Sequence, residues 1–194
     1  FRSQGDSRAQ SVLGFAYMNG IGVPVDFEQA RALFEKAAAQ GYAGAYTNLG
    51  GLFWDGNGVT QDRAKAVELV RKAAELGDPN AWHKLGSYYD FGSGGLKRDP
   101  VEAVHWYRKA AEFGIASAQN SLGVAYQNGD GVDKNSEQAN AWFSKAASAG
   151  NAFAMANLGL AFQYGRAVDK SIQKAMELYR LAAIKGHVGG QLIV

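Results

Sequence analysis

Apolar residues return along this chain with a fixed period. The string Ala-x-x-x-Leu-Gly-x-x-(Tyr/Phe)-x-x-Gly occurs five times, and its leucines, Leu13, Leu49, Leu85, Leu122 and Leu158, are spaced 36, 36, 37 and 36 residues apart. A period of this length marks a repeat array. At ~100° per residue the apolar offsets 0, +4 and +8 from the alanine fall within about 80° of one another, which is one face of a helix, here helix A. A second string begins at Ala30, Ala66, Ala103, Ala139 and Ala175, with bulky residues at +3 and +4 and alanines at +7 and +8, as in Trp106, Tyr107, Ala110 and Ala111. This is the same stripe on a second helix, B.

The helix ends are also legible. Four residues before each helix B alanine stand Asp26, Asp62, Asp99, Asn135 and Ser171, all side chains that accept from the open N–H groups of a first turn. Pro100 follows Asp99 at the position where proline is tolerated. Gly-x-Gly-Val turns at Gly20, Gly56 and Gly129 join A to B, and Gly41, Gly77, Gly114, Gly150 and Gly186 close helix B. The pattern predicts a single array over 1–194, with repeats of about 6–41, 42–77, 78–114, 115–150 and 151–186 and a partial unit over 187–194. Gly5 and the stub from His187 are already in phase, and the chain opens at Phe1, so the array is expected to continue past both ends.

Composition narrows the function classes. Glycine makes up 25 of 194 residues against 3 prolines, an excess over the ~7% average that serves helix stops rather than disorder. The charge is 20 basic against 18 acidic groups, so no global field attracts nucleic acid or anionic membrane. Cysteine is absent, which excludes disulfide scaffolds, thiolate zinc sites and cysteine nucleophiles. No apolar run of ~18 residues would insert in a membrane.

The units Ala118 to Val132 and Lys145 to Gly150 resemble the Sel-one-like repeat, a relative of the tetratricopeptide repeat. Departures are local: Ala167 stands for the second turn glycine in repeat five, Val70 for the helix B aromatic in repeat two, and repeat three carries an extra residue in Gly92-Ser93-Gly94-Gly95-Leu96. The resemblance implies an all-α fold, a right-handed α-α superhelical solenoid with A helices on the concave face and B helices outside. It implies a non-enzymatic interaction scaffold without cofactor, whose partner is a protein or peptide. Its sharper form is a bacterial periplasmic or secreted inhibitor or immunity protein directed at a toxic enzyme such as a phospholipase. Cysteine-rich relatives are linked to β-lactam hydrolysis, but their cysteines have no counterpart here.

A solenoid buries one face of each helix, so the positions that the repeat leaves unspecified are free for function. On helix A the offsets +2, +6, +9 and +10 lie opposite the buried stripe. They give Thr47, Gly51, Trp54 and Asp55 in repeat two and His83, Ser87, Asp90 and Phe91 in repeat three. Ser11, Phe15, Met18 and Asn19 in repeat one, Asn120, Val124, Gln127 and Asn128 in four and Ala156, Leu160, Gln163 and Tyr164 in five complete this lining, with Lys84 at its edge. Trp54, Phe91 and Tyr164 are the expected anchors, since aromatic residues dominate interface energies. Trp54 or Tyr164 could alternatively stack on a peptidoglycan or polysaccharide ring. Trp82, Trp106 and Trp142 fall on buried stripes and are expected in the core. The histidines, His83, His105 and His187, share no metal-ligand spacing, and Asp90 lies two turns, about 10 Å, beyond His83. Residues 151–186 carry five cations and two carboxylates, a local net of +3.

Overall fold

In the computed structural model, which describes residues 5–186, ten helices occupy the described chain. They are α1 (Ser7–Asn19), α2 (Phe27–Ala39), α3 (Ala43–Asp55), α4 (Arg63–Glu75), α5 (Pro79–Phe91), α6 (Pro100–Glu112), α7 (Ala116–Asn128), α8 (Ser136–Ser148), α9 (Ala152–Tyr164) and α10 (Ile172–Ile184). Odd numbers are the predicted A helices and even numbers the B helices. Each has 13 residues, about 20 Å at 1.5 Å per residue, against the ~30 Å of a bilayer core. None of the described helices is long and apolar enough to cross a membrane. The all-α repeat architecture expected from the periodicity is the one adopted. The proposed partial unit over 187–194, with His187, lies outside the described residues.

The chain divides into two compact units, Phe1–Asp99 and Pro100–Val194, and the division falls within the third predicted repeat. In the first unit α1 packs on α2, α2 on α3, α3 on α4 and α4 on α5, and the A helices α1, α3 and α5 also touch in succession. In the second, α6 to α10 pack in the same sequential order. Solenoid packing of this kind needs only neighbours.

One contact recurs in every pair that carries it. The glycine after the helix A leucine leaves bare backbone, and the large residue at +4 of helix B lies on it. A Cβ on Gly14 would stand 2.8 Å from the Phe34 ring; on Gly50, 2.8 Å from Val70; on Gly123, 2.6 Å from Phe143; on Gly159, 2.6 Å from Tyr179. Phe34, Val70, Phe143 and Tyr179 are accordingly almost fully buried. Leu49, Leu85 and Leu122 are buried on the same stripe, whereas Leu13 of the first described helix is 45% exposed.

The turns repeat as faithfully. Asp26, Asp62, Asn135 and Ser171 each cap helix B through the side chain, at 2.9, 2.9, 2.9 and 3.3 Å. Their backbone N–H groups donate to the carbonyls of Tyr17, Phe53, Tyr126 and Phe162 on helix A. In repeat three the bond runs from Asp99 N to Tyr89 O at 2.8 Å, one residue longer, because Gly92, Gly94 and Gly95 all adopt positive φ and absorb the insertion within the turn. Ala167 takes φ 52°, the only non-glycine at positive φ among the described residues, a conformation that costs an L residue about 1 kcal/mol. A further bond links repeats: the +1 side chain of helix A donates to a carbonyl in the last turn of the preceding helix B. Tyr46 reaches Ala38 O at 2.8 Å, Trp82 reaches Ala74 O at 2.8 Å and Gln119 reaches Ala111 O at 3.1 Å.

That bond corrects the expectation for Trp82, which is half-buried because its indole N–H must reach the edge of α4. Trp106 and Trp142 are likewise half-buried rather than core. The amines of Lys109 and Lys145, one turn on, stand 5.4 and 4.1 Å from their ring centroids. The tightly packed core lies one residue further along, at Tyr107 and Phe143.

Two helix glycines should therefore respond oppositely to alanine. Gly123→Ala drives a methyl into Phe143 and should lower stability by about 1–3 kcal/mol. Gly51→Ala meets nothing within 4 Å and should raise it by about 0.5–1 kcal/mol. Urea unfolding of the two variants checks this, and destabilisation by both would show that the Gly51 backbone is also in close contact.

Candidate functional site

The first unit holds two neighbouring concave clefts. The larger, of about 730 Å³, is lined by Phe15, Met18, Tyr42, Thr47, Asn48, Gly51, Leu52, Asp55, Asp78, Asn80 and Lys84, among others. The smaller, of about 380 Å³, is lined by Trp54, Asn80, His83, Lys84, Ser87, Tyr88, Phe91 and Ser93. Asn80 and Lys84 belong to both, so the two clefts adjoin across the start of α5.

At the larger cleft, Thr47 is 5% exposed and donates its hydroxyl to Asp78 Oδ2. The other carboxylate oxygen, Oδ1, accepts from Asn80 N at 3.1 Å and caps α5. Asp78 is 9% exposed, and these two bonds with the helix N-terminus supply the polar partners that a buried carboxylate requires. Thr47, expected on the open face, does line the cleft, but its hydroxyl is spent on Asp78 at the start of the next A helix. Ser11, also at +2, is buried, and Asn157 on α9 donates to the +2 residue Asn120 at 3.0 Å. Gly51 keeps the wall open, since nothing lies within 4 Å of where its Cβ would stand.

In the smaller cleft Trp54 is stacked on Tyr88, with centroids 4.4 Å apart and planes at 16°. The Arg63 guanidinium lies 5.1 Å from the Trp54 centroid. Trp54 is half-buried, with Tyr88 stacked on its ring, and forms part of the wall of this cleft. Phe91 is 74% exposed and is the large apolar group that this cleft presents to solvent. Burial, with the nearby Asp55 carboxylate, pushes the Tyr88 phenol up to about 12, so it stays a neutral donor. Burial, with the Lys84 ammonium beside it, lowers the His83 imidazole to about 4, so it is neutral at pH 7. Asp90 lines neither cleft. Its Oδ1 lies 3.9 Å from Arg98 Nη2 and its backbone carbonyl accepts from Arg98 Nε at 2.9 Å, which fastens the long turn of repeat three.

Thr47, Gly51, Trp54, Asp55, His83, Ser87 and Phe91 thus line one continuous surface of the first unit. Gln127, Asn128 and Tyr164 belong to the second unit. Gln127 lines only a small hollow with Asn140, Asn157 and Arg166, Asn128 donates to Asp130 Oδ2 at 3.2 Å, and Tyr164, 60% exposed, lies 5.1 Å from the Arg166 guanidinium. Lys174 similarly sits over Phe162 at 5.1 Å, so two of the cations expected to make a basic end are laid on rings. Helical phase missed Asp78, Asn80 and Tyr42, which lie at the start of helix A. The signal available was the N-cap chemistry of Asp78 before Pro79.

His83 links this site to stability. Its folded value is below its unfolded 6.5, so its contribution is complete above pH 6.5 and is lost as pH falls toward 4, where the unfolded chain binds the extra proton. Between pH 7 and pH 4.5 the wild type should lose about 2 kcal/mol more than His83→Gln, at ~1.4 kcal/mol per unit. Equal losses in denaturant titrations at the two pH values would show that the imidazole protonates freely.

Matches to the Sel1 repeat cover residues 7–42, 43–78, 79–113, 116–151 and 152–187. A Sel1 repeat protein of Oxalobacter formigenes is 35% identical, with 95% of this chain and 75% of that chain covered and a TM-score of 0.88. A protective antigen of uropathogenic Escherichia coli strains, displaying an SLR fold, is 40% identical over 98% of this chain, with a TM-score of 0.85, and this chain spans 41% of that antigen's length. An immunity protein of Pseudomonas aeruginosa is 25% identical, covering 95% of this chain and 67% of its own, with a TM-score of 0.68. No curated protein sequence matches the chain. Five successive units that share the leucine and glycine of helix A, matched over nearly the whole chain, mean that the chain belongs to the Sel1 repeat family.

Proposed function

We propose that this chain is a non-enzymatic scaffold that holds a segment of a partner protein along the two adjoining clefts of its first unit. The observation that carries the reading is the make-up of that surface: exposed Phe91, the open wall at Gly51, the apolar Phe15 and Met18, and hydrogen-bonding groups from Asn48, Asn80, Lys84 and Ser87, all within one unit. Interfaces concentrate their energy in such central aromatic and apolar positions beside polar groups that set orientation. The lack of cysteine removes the framework of the β-lactam-hydrolysing relatives. The sharper form of the proposal is a periplasmic or secreted inhibitor of a toxic enzyme such as a phospholipase. The likeness to an immunity protein of Pseudomonas aeruginosa supports it.

Affinity capture with the purified chain as bait tests the scaffold. A protein retained by the wild type should be lost or weakened at least tenfold, about 1.4 kcal/mol, by Phe91→Ala combined with Gly51→Trp, which removes the exposed anchor and fills the open wall. Circular dichroism and thermal melts should confirm that the double variant folds. Retention of every captured protein by a folded double variant would place binding elsewhere. For the sharper form, the wild type should suppress the captured enzyme's hydrolytic activity and the double variant should not.

A further inference from the structure

The charges of the first unit are unevenly distributed between its two clefts. The carboxylates of Asp55 and Asp78 line only the larger one. The smaller is lined by no acid at all. Its lining includes Lys84, Asn80, Ser87, Ser93 and Tyr88, all of which carry donor groups, beside the apolar Phe91. Tyr88 remains protonated at every working pH, so it too can donate. Arg31 pairs with Glu35 and Arg98 with Asp90, and among the described residues no carboxylate is paired with Lys84. The Arg63 guanidinium over Trp54 adds a second positive group on the flank of the same wall. A concavity with donors, an unneutralised ammonium and an exposed aromatic edge is complementary to an anion that carries an apolar neighbour.

Resting on the scaffold reading above, we propose that the smaller cleft receives an aspartate or glutamate side chain of the partner segment, with Lys84 as its counter-charge and the adjacent apolar residue of that segment packed on Phe91. A side chain fits the surface better than a chain terminus does. Lys84 and Asn80 line both clefts, so a segment that places its carboxylate at Lys84 continues into the larger cleft, where Phe15 and Met18 offer further apolar contact. Planar carboxylate recognition needs donors on more than one side, and the residues lining this cleft supply them from two elements: Asn80, Lys84 and Ser87 on α5 and Ser93 in the turn that follows it.

The test uses three capped or uncapped peptides against the isotope-labelled full chain by nuclear magnetic resonance: acetyl-Ala-Phe-Asp-Ala-amide, its Asn counterpart, and acetyl-Ala-Phe with a free C-terminus. The Asp peptide should shift resonances of His83, Lys84, Ser87 and Phe91 and bind about fivefold more tightly than the Asn peptide, with the advantage shrinking in 0.5 M salt as screening grows. Lys84→Met should erase that advantage and Lys84→Arg should keep most of it. Equal binding of the Asp and Asn peptides, no binding of either, or tighter binding of the free C-terminus would each overturn the assignment. The two readings fail separately. If captured protein is lost in the Phe91→Ala, Gly51→Trp variant but held as tightly by Lys84→Met as by the wild type, the scaffold stands and the carboxylate subsite falls.

Discussion

The fold depends on a missing methyl group. Where helix A carries glycine after its leucine, the ring or branched side chain of helix B rests directly on backbone, and a Cβ would intrude to between 2.6 and 2.8 Å of it. Helices that pack through such a contact approach closely and in one register, because the large residue has a single place to sit. The remaining repeat features follow from that register. The N-cap of helix B comes to lie under the helix A carbonyl eight residues after its alanine, and the +1 side chain of the next helix A comes within reach of the last turn of helix B. In repeat three, three glycines at positive φ take up the insertion before Asp99 is reached, and Asp99 N still meets the equivalent helix A carbonyl, that of Tyr89.

The clefts are what remains once those contacts are made. In the first unit, Gly51 withholds a side chain where an alanine would favour the helix by about 1 kcal/mol, and the space it leaves is wall. Asp78 does two jobs with one carboxylate, capping α5 and holding the Thr47 hydroxyl of α3, so the floor of the larger cleft is set by the start of one helix and the flank of another. The stacked pair Trp54 and Tyr88 joins α3 to α5 in the same manner at the smaller cleft. Here the binding surface and the packing between A helices are made by neighbouring atoms of the same side chains.

That overlap explains which residues helical phase read well. Phe91, Gly51 and Asp55 point into space from α5 and α3, and an angle about one helix axis is enough to find them. Thr47, Trp54 and Asp90 were assigned to the open face by the same angle, yet each is engaged: by Asp78, by Tyr88 and by Arg98. An angle takes no account of the neighbouring helix that closes one flank or of the turn that folds back on the other. Asn80 and Asp78 escaped notice because they stand before the first apolar position of their repeat, in the turn that the periodicity treats as punctuation. Trp82, with the right phase for the core, is drawn to its edge by the need of its indole N–H for a carbonyl.

By itself the sequence determined the number and order of the helices, the turns between them, the residues that cap each helix B and the glycines that close it. These are local matters of cap chemistry, glycine conformation and the 3.6-residue period, and the five copies state them five times. Only the tertiary structure decided that the third repeat is shared by two compact units. It also decided which polar residues are consumed in packing, and that an acid-free cleft with an unpaired lysine lies beside an acidic one. The bond of Thr47 to Asp78 and the stacking of Trp54 on Tyr88 rest on distances between residues roughly one repeat apart in sequence. Such distances arise only when one helix is set against the next, and no single helix encodes them.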